Sequence, residues 1–474
     1  MKRMFSNTRY GICLVFFMAT FITACDNKNG NNDSNEPIEP KPRAAILKGE
    51  IGGTRTLSKD TIYTLEGFVY VVDGGILNIP AGTIIKGDKA SMGTLIIERG
   101  AKIMAEGSAE EPIIFTSYLP KNARSSGDWG GIIICGKAKV NAIEPQVEGG
   151  PKSLYGGTDD ADNSGILKYV RIEYPGFPIQ PDKEINGLTL CGVGSGTIID
   201  YIQVSFARDD SYEWFGGSVN CRHLIAFKGL DDDFDTDMGY SGKVQYALGV
   251  KDYRDSDISG SNGFESDNDA EASSQTPKTS CIFANVSLIG PADTINKTVS
   301  GDYKRGFHLR RNTELSVYNS VIAGWPVGLN ISGTSKAWAN ALEGKLNVKY
   351  CAFVACKKRV EVDSLDTHND YEIEGLMEIS NTRFYSSADE VFIRNSFANI
   401  KTKDTITGKF SDKENANMNF LPDPESPLLS AANWTDALVS TGFIQEEFIG
   451  AFGTTDWTTG WTNWTPNSDS YTID

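Results

Sequence analysis

The sequence predicts an all-β fold, a parallel β-helix in which each turn of the chain adds one rung to a stack. Three observations indicate this fold. β-rich segments recur at spacings of 22 to 34 residues with one gap of 62, glycine-centred corners separate apolar strands, and the N-terminal segments show no helical period. The expected inward residues of the recurring segments are Val170, Ile202, Leu224, Val286, Ser320, Ala352 and Thr382.

A rung of this size cannot close its own core. Stacking pairs strand on strand at about 4.8 Å and buries the inward side chains in ladders. The N-terminal part repeats the pattern over residues 76–85, 94–107 and 112–117. The gap between Leu224 and Val286 corresponds to two or three rungs. A β-sandwich is the structural alternative, because its strands are also short and separated by turns.

The N-terminus is typical of an exported bacterial lipoprotein. Lys2, Arg3 and Arg9 accompany an apolar run over residues 10–22, which has the length of a signal-peptide core and is short for a membrane span. The run ends in Ile-Thr-Ala-Cys at Cys25, which resembles the lipobox at which bacterial lipoproteins are acylated. We therefore predict that an acylated Cys25 anchors the chain to the outer membrane.

Composition divides the chain into three parts. Residues 1–24 are the predicted lipoprotein signal peptide. Residues 25–43 are rich in Asn, Gly and Pro and are expected to form a flexible tether that buries no core. No second linker of similar composition follows, so residues 44–474 are expected to form a single β-helix domain. The cysteines of that domain lack the paired spacing of a zinc site, and most occur in apolar strand contexts that favour burial.

The chain is strongly acidic, with a formal net charge of -17. This charge makes nucleic acid an unfavourable partner and favours a cation-binding surface, although solubility explains it equally well. The densest acidic groups lie 22 residues apart, and stacking of rungs would bring them together. Like charges packed in this way are relieved by water, protons or a cation, and calcium accepts roughly six to eight oxygen ligands in loose geometry. The predicted calcium ligands are Asp209, Asp210, Glu213, Asp231, Asp233, Asp235 and Asp237.

A polysaccharide lyase is the enzymatic interpretation of the same clusters. Such an enzyme pairs calcium with a base that removes a proton beside a uronate carboxylate. Arg208, adjacent to Asp209, is the candidate base and Lys228 is its substitute, while an ion pair with neighbouring acids is the structural alternative. The sequence contains neither Gly-His-Gly nor Arg-Ile-Lys, so an inverting pectinase is not expected.

Two further groups are candidates for ligand binding. Arg305, His308 and Arg310 belong to the main basic group of the chain and are candidates to bind an anion, with salt bridges between rungs as the alternative. Tyr212 and Trp214 would form a platform for a sugar ring if exposed, and a corner of the core if packed. A cap over one end of the solenoid is expected from Trp457, Trp461 and Trp464.

Several segments resemble a largely uncharacterised family of Bacteroidota outer-membrane lipoproteins. The matching segments are residues 128–138, 155–165, 184–190, 209–217 and 450–464, within a likeness that runs from about residue 49 to residue 466. The opening coils also resemble right-handed parallel β-helices of the pectin-lyase-like kind. The resemblance implies a lipid-anchored protein at the cell surface beside a TonB-dependent receptor, and it brings no established catalytic residues.

The sequence does not disclose a reaction and favours a non-catalytic role. We expect a surface-exposed lipoprotein that binds a glycan, a small ligand or an outer-membrane receptor of the TonB-dependent type, with calcium assisting. A calcium-dependent polysaccharide lyase or another carbohydrate-active enzyme is one alternative. An adhesive or structural surface protein is the other.

Overall fold

The computed structural model describes residues 43–180, 183–252, 254–292, 295–296, 298–332, 336–361, 369, 372, 374–375, 381–387 and 418–473. The predicted signal peptide, the predicted acylation site Cys25 and the predicted tether up to residue 42 lie outside the described residues. The described residues belong to one compact unit that spans residues 42–474. Among them, no helix has the length and apolar character needed to cross a membrane.

Short strands form nearly all of the regular structure. The first half of the chain contains β1 (Arg43–Ile51), β2 (Thr54–Thr56), β3 (Thr61–Val71), β4 (Ile76–Ile79), β5 (Ile84–Gly87), β6 (Thr94–Ile97), β7 (Lys102–Glu106), β8 (Ile113–Ser117), β9 (Gly131–Cys135), β10 (Gly165–Glu173), β11 (Pro178–Gln180), β12 (Lys183–Glu184), β13 (Leu188–Val193) and β14 (Ile198–Ser205).

The second half continues the same pattern. It contains β15 (Tyr212–Gly217), β16 (Cys221–Phe227), β17 (Phe234–Asp237), β18 (Lys243–Val250), β19 (Phe264–Ser266), β20 (Ile282–Ile289), β21 (Arg305–Leu309), β22 (Ser316–Tyr318), β23 (Val321–Ala323), β24 (Val327–Ile331), α1 (Ala337–Leu342), β25 (Asn347–Lys349), β26 (Ala352–Val354), β27 (Lys358–Glu361), β28 (Arg383–Tyr385) and 3-10 turns at Pro427–Ser430 and Pro466–Ser468.

The strands stack in parallel along three faces of a solenoid. Face 1 contains β1, β3, β6, β9, β13, β15, β17, β19, β21, β24 and β27. Face 2 contains β2, β4, β7, β22, β25 and the first parts of β10, β14, β16, β18 and β20. Face 3 contains the first parts of β1 and β3, then β5 and β8, the later parts of β10, β14, β16, β18 and β20, and finally β23, β26 and β28. The predicted right-handed parallel β-helix is confirmed, and β11 and β12 form a separate antiparallel hairpin.

Inward side chains form ladders along the axis of the solenoid. On face 1, one buried ladder consists of Leu95, Ile132, Leu188, Tyr212, Phe234, Phe264, Phe307, Leu329 and Val360. Tyr212 stacks on Phe234 with ring centroids 5.5 Å apart. Tyr212 and Trp214 have no exposed surface, so the prediction that they bind a sugar ring is wrong. Side chains alternate along β15, and these two share the inward side while Glu213 points outward.

The 62-residue gap in the predicted ladder contains two steps of the solenoid. Leu224 is in register with Ala247, and Ala247 is in register with Val286. The steps from Val170 to Leu224 follow the predicted register. The extra length lies in the connection between β18 and β20, which passes through β19 on face 1.

Face 3 is buried on both of its sides. For this reason one predicted inward residue, Ala352, is wrong by one position. Ala352 pairs with Val321, and both lie in an apolar cluster on the outer side of the face. Cys351 occupies the inward position in the main core instead. Strands covered on both sides are continuous apolar runs, so the sequence alone does not distinguish their inward residues from their outward ones.

One residue turns the chain between faces 2 and 3 in successive rungs, and its φ is positive each time. These residues form the corner ladder: Tyr169, Tyr201, His223, Tyr246, Asn285, Asn319, Tyr350 and Asn381, with φ between 48° and 62°. The left-handed conformation costs an L-residue about 1–2 kcal/mol. Stacking offsets part of this cost, because the ring centroids of Tyr169 and Tyr201 are 4.4 Å apart, those of Tyr201 and His223 are 4.1 Å apart, and those of His223 and Tyr246 are 4.8 Å apart.

The tail, residues 418–473, lies along the outer side of face 3 and the corner ladder. Apolar tail residues join the outward residues of face 3 in one cluster. Side chains of the rungs exchange paired hydrogen bonds with tail residues at three places: Asn319 with Asn433, Gln245 with Ile444, and Gln203 with Asn463. The tail therefore supplies the second cover that the strands of face 3 require.

The tail tryptophans cover this flank and do not cap an end of the solenoid, which corrects the sequence prediction. Trp457 and Trp461 meet the ring of Tyr201 edge to face, with centroids 6.5 and 5.8 Å apart. Trp464 packs on Phe227 at 4.9 Å. The physical reason is that face 3 leaves a long apolar outer surface that needs a cover along its length.

Replacement of Asn319 tests the coupling between the corner ladder and the tail. Asn319 is fully buried, its Nδ2 donates to the Asn433 carbonyl at 3.0 Å, and its Oδ1 accepts from the Asn433 N–H at 2.9 Å. We expect Asn319→Gly to lower the free energy of unfolding by about 2 kcal/mol. Asn319→Ala should cost about 1 kcal/mol more, because alanine is strained at positive φ. Guanidinium denaturation checks this, and equal losses for the two variants would contradict the role given to the backbone.

Candidate functional site

From β15 to β21 the outer side of face 1 carries a row of polar side chains, one from each rung. Glu213 lies beside Asp235 of the next rung, which lies beside Glu265 and then His308. Each of these four points outward from its strand, whereas Phe234, the neighbour of Asp235, points into the core. Because neighbouring strands are about 4.8 Å apart, three carboxylates are stacked on successive rungs.

A corner beside this row adds further carboxylates. Asp209 and Asp210 precede β15, and Asp231 precedes β17 one rung later. The carboxylate oxygens of Asp209, Asp210 and Asp231 lie within 4.8 Å of one another, and so do those of Asp210, Glu213 and Asp235. Asp210 belongs to both groups. We call these five residues the acidic cluster, and the structure brings them together from the two groups that the sequence analysis singled out.

Backbone and amide donors hold the cluster in place. The Asp232 N–H donates to Asp210 Oδ1 at 2.9 Å, and the Asn262 N–H donates to Asp232 Oδ1 at 2.5 Å. The Asn186 amide donates to the carboxylate of Glu213. Sequence reasoning did not select Asn186, Asp232 or Asn262 as site residues. A signal was present, because an Asn or Asp stands two residues before β13, β15, β17 and β19.

Asp210 is buried and the other four residues of the cluster are half-buried, so the carboxylates are too poorly hydrated and too close together to carry all of their negative charge. Burial, followed by repulsion from neighbouring carboxylates, raises the pKa of Asp210, Glu213 and Asp235 well above their usual range. The same causes raise the pKa of Asp231 to about 9. At neutral pH the group must therefore hold protons or a counter-ion.

The pKa values of three carboxyls around the cluster are raised as well. Burial, with repulsion from Glu265, raises the pKa of Asp232 to about 7. Burial, with repulsion from Asp267, raises the pKa of Asp237 to about 7 as well. The pKa of Glu265 is also raised to about 7, mainly by burial and against the effect of Arg310. Asp237 lies on the outer side of β17, but it is not a member of either close carboxylate group.

Asp233 is not part of the cluster, which corrects its prediction as a calcium ligand. It lies just before β17, and its Oδ1 is 3.0 Å from Lys251 Nζ, with neither side chain exposed. The expected alternation of Asp233, Asp235 and Asp237 fails because Asp233 precedes the strand and is drawn inward by the buried lysine. Its charge is therefore neutralised inside the solenoid.

The basic group forms ion pairs between rungs, as in the alternative considered for it. Arg305 Nη2 lies 3.1 Å from a carboxylate oxygen of Glu361, and Arg310 bridges Glu265 and Asp267. His308 Nδ1 lies 3.1 Å from Glu265 Oε2. Burial and the nearby arginines lower the pKa of His308 to about 4. These contacts occupy the three side chains that the sequence analysis proposed as an anion site.

The two candidate lyase bases differ in their surroundings. Lys228 is buried, and its Nζ lies 3.4 Å from Asp252 Oδ2 and 5.1 Å from the centroid of the Phe227 ring. Its ammonium is thus held in an ion pair within the solenoid wall. Arg208 is exposed and directly precedes Asp209 of the acidic cluster.

The acidic cluster has the donor chemistry of a divalent-cation site. Only hard oxygen donors are present, and calcium accepts roughly six to eight of these in irregular geometry. Among the described residues, no hydrogen bond reaches Asp235 Oδ1 or Asn262 Oδ1, although both atoms are buried. The nearby cationic side chains form their ion pairs with carboxylates outside the cluster, Lys251 with Asp233 and Arg310 with Glu265, and Lys251 also donates to the Asp231 carbonyl. The five carboxylates therefore fit calcium.

Fold and site together define a right-handed parallel β-helix protein with an acidic cluster on one outer face. The sequence matches the model of the pectate-lyase-like β-helix domain over residues 49–392, and the chain belongs to that family. The crystal structure of pectate lyase Pel9A is similar, with a TM-score of 0.41 and 14% identity, covering 81% of this chain and 89% of that chain. No curated protein matches the sequence.

The raised pKa values predict an unusual pH dependence in the absence of divalent cations. The folded state binds these protons more tightly than the unfolded chain, so stability is highest below the unfolded pKa and is lost as pH rises through about 7 to 9. The lowered pKa of His308 has the opposite effect on stability, which it reduces only as pH falls below about 6.5. We expect the melting temperature in EDTA to fall between pH 6.5 and 9, and Asp231→Asn/Asp235→Asn to flatten this dependence. A melting temperature that rises over this range would contradict the model of the cluster.

Proposed function

We propose that the protein holds a calcium ion at the acidic cluster and uses it to bind an acidic glycan without cleaving it. The observation that carries the proposal is the pair of close carboxylate groups that share Asp210. A cation there neutralises carboxylates that burial would otherwise keep protonated. Calcium with roughly six to eight coordination positions can also accept oxygens from a uronate carboxylate. Membership of the pectate-lyase-like β-helix family supports a carbohydrate ligand.

Binding is favoured over cleavage because the candidate bases are poorly suited to proton removal. Lys228 is buried in an ion pair with Asp252, and Lys251 is buried in an ion pair with Asp233. Arg208 is exposed, but a guanidinium is already protonated at neutral pH and has no free lone pair with which to remove a proton. A polysaccharide lyase is therefore the second hypothesis, with Arg208 as its base.

We further propose that acylation of Cys25 anchors the protein to the outer membrane, on the cell surface. The support is the lipobox-like sequence that ends at Cys25 and the tether that follows it. The resemblance to Bacteroidota lipoproteins adds a TonB-dependent receptor as the proposed protein partner. In this arrangement the β-helix presents face 1 to a glycan that the receptor then takes up.

Calcium titration of Asp210→Asn tests the proposed cation site. Asn keeps the acceptor for the Asp232 N–H but removes the charge shared by both carboxylate groups. We expect calorimetry to show saturable calcium binding by the wild type and at least about tenfold weaker binding by the variant. In EDTA the variant should be more stable than the wild type, because it relieves repulsion.

The matched control is Glu110→Gln, which removes an exposed carboxylate outside the cluster. It should bind calcium as the wild type does. With calcium present, an oligomer of galacturonate should bind the wild type, EDTA should release it, and no unsaturated product should absorb in the ultraviolet. Such a product would replace the binding proposal with the lyase. Absence of calcium binding by the wild type would refute the cation site.

Replacement of Cys25 tests the membrane anchor. Cys25→Ser removes the thiol that an acyl chain would modify, so the protein should lose metabolic labelling by palmitate and leave the membrane fraction. Surface protease digestion of intact cells should degrade the wild type. A Cys25→Ser protein that stays labelled would contradict the assignment, and Cys13→Ser, within the predicted signal peptide, is the matched control.

A further inference from the structure

A cavity opens between the corner ladder and the tail, away from the acidic cluster on face 1. It has a volume of about 620 Å³, within the range of about 300–1,000 Å³ typical of small-molecule sites. Rings of the corner ladder line one side, and tail residues line the other. The residues that define its chemistry are Tyr201, His223, Tyr246, Glu446, Glu447 and Trp457.

The ladder side of this corner cavity presents ring edges and polar atoms. Tyr201, His223 and Tyr246 stack face to face, so their faces are largely occupied by one another. The Tyr246 hydroxyl donates to Glu446 Oε1 at 2.7 Å. His223 Nδ1 lies 2.7 Å from Asp200 Oδ1, which fixes the orientation of the imidazole. The cavity thus has oriented donors and acceptors beside an aromatic wall.

Hydrogen bonds from the rungs fix the tail side of the cavity. Each of these bonds joins a rung side chain to the tail backbone. They are formed by Gln245 with Ile444 at 2.6 and 2.9 Å, by Asn285 with the Phe448 carbonyl at 2.9 Å, and by Ser287 with the Ala451 N–H at 2.9 Å. The cavity is consequently formed in advance, and a ligand need not order the tail to bind.

The charge and orientation of the walls select the class of ligand. Glu446 and the exposed Glu447 disfavour an anion. Ring edges carry partial positive charge, so the stacked ladder adds little attraction for a cation to that of the two carboxylates. Hydroxyl groups suit this cavity, because the carboxylates accept from them. Trp457 is half-buried and stacks on Phe452 and Trp461, and its remaining exposed part supplies apolar surface for ring carbons.

We propose that the corner cavity binds a neutral saccharide, with hydroxyls of one hexose unit donating to Glu446 and Glu447 and its apolar side against Trp457. The site is independent of calcium and lies on a different side of the solenoid from the acidic cluster. It goes beyond the function proposed for that cluster and does not depend on it. A chain with both sites contacts a glycan that contains neutral as well as acidic sugars.

The test titrates the full mature chain with maltose, cellobiose, lactose and mannobiose in EDTA, with saturation-transfer NMR as the first readout and tryptophan fluorescence for the Kd. At least one of these disaccharides should bind the wild type. Glu446→Gln should raise its Kd about tenfold, because a charged acceptor becomes a neutral one. Trp457→Ala should abolish binding, and Glu425→Gln, an exposed carboxylate of the tail outside the cavity, should leave it unchanged.

The outcomes separate this proposal from the calcium site. EDTA removes the cation, so saccharide binding in EDTA cannot come from the acidic cluster. If Trp457→Ala fails to fold, the Kd values of Glu446→Gln and Tyr246→Phe test the proposal instead, because both substitutions preserve the ring stack. The proposal is refuted if none of the four disaccharides saturates the wild type. It is equally refuted if Glu446→Gln binds as tightly as the wild type, or if trigalacturonate binds this cavity in preference to them.

Discussion

The left-handed bend between faces 2 and 3 is the constraint on which much of the architecture depends. Because it falls at the same position in successive rungs, each strand enters face 3 in register with its neighbours. The strained residues are stabilised by stacking in one part of the ladder and by hydrogen bonds to the tail in another, as at Tyr201 and Asn319. The tail in turn covers face 3, and the corner cavity lies where ladder and tail separate.

The same geometry explains how much of the fold the sequence could predict. The spacing alone indicated the stack of rungs, because few folds other than a solenoid have short strands that recur at such regular intervals. Register was predictable where a strand has one buried side, and it failed at Ala352, where both sides are buried. The tail tryptophans were assigned to an end because the sequence does not show that face 3 is apolar on its outer side.

The candidate site was predictable to the extent that it depends on rung length. Asp209 and Asp231 differ by one 22-residue rung, as do Glu213 and Asp235, so stacking followed directly from the spacing. The inward turn of Asp233 depends on Lys251, a residue of the next rung's wall that spacing does not reveal. The sequence likewise did not show whether Arg305 and Arg310 were free to bind an anion, because their ion-pair partners are carboxylates of other rungs.

Charge along the outer side of face 1 changes from rung to rung, and this change localises the proposed cation. At β19 the carboxylates of Glu265 and Asp267 meet Arg310, so the protein supplies its own counter-charge. At β15 and β17 the carboxylates of Glu213 and Asp235 meet one another and Asp210. A surface that needed acidity only for solubility would gain nothing from burying these groups together, since burial opposes ionisation. The concentration of buried carboxylates on two rungs is therefore better explained by a bound cation than by solubility.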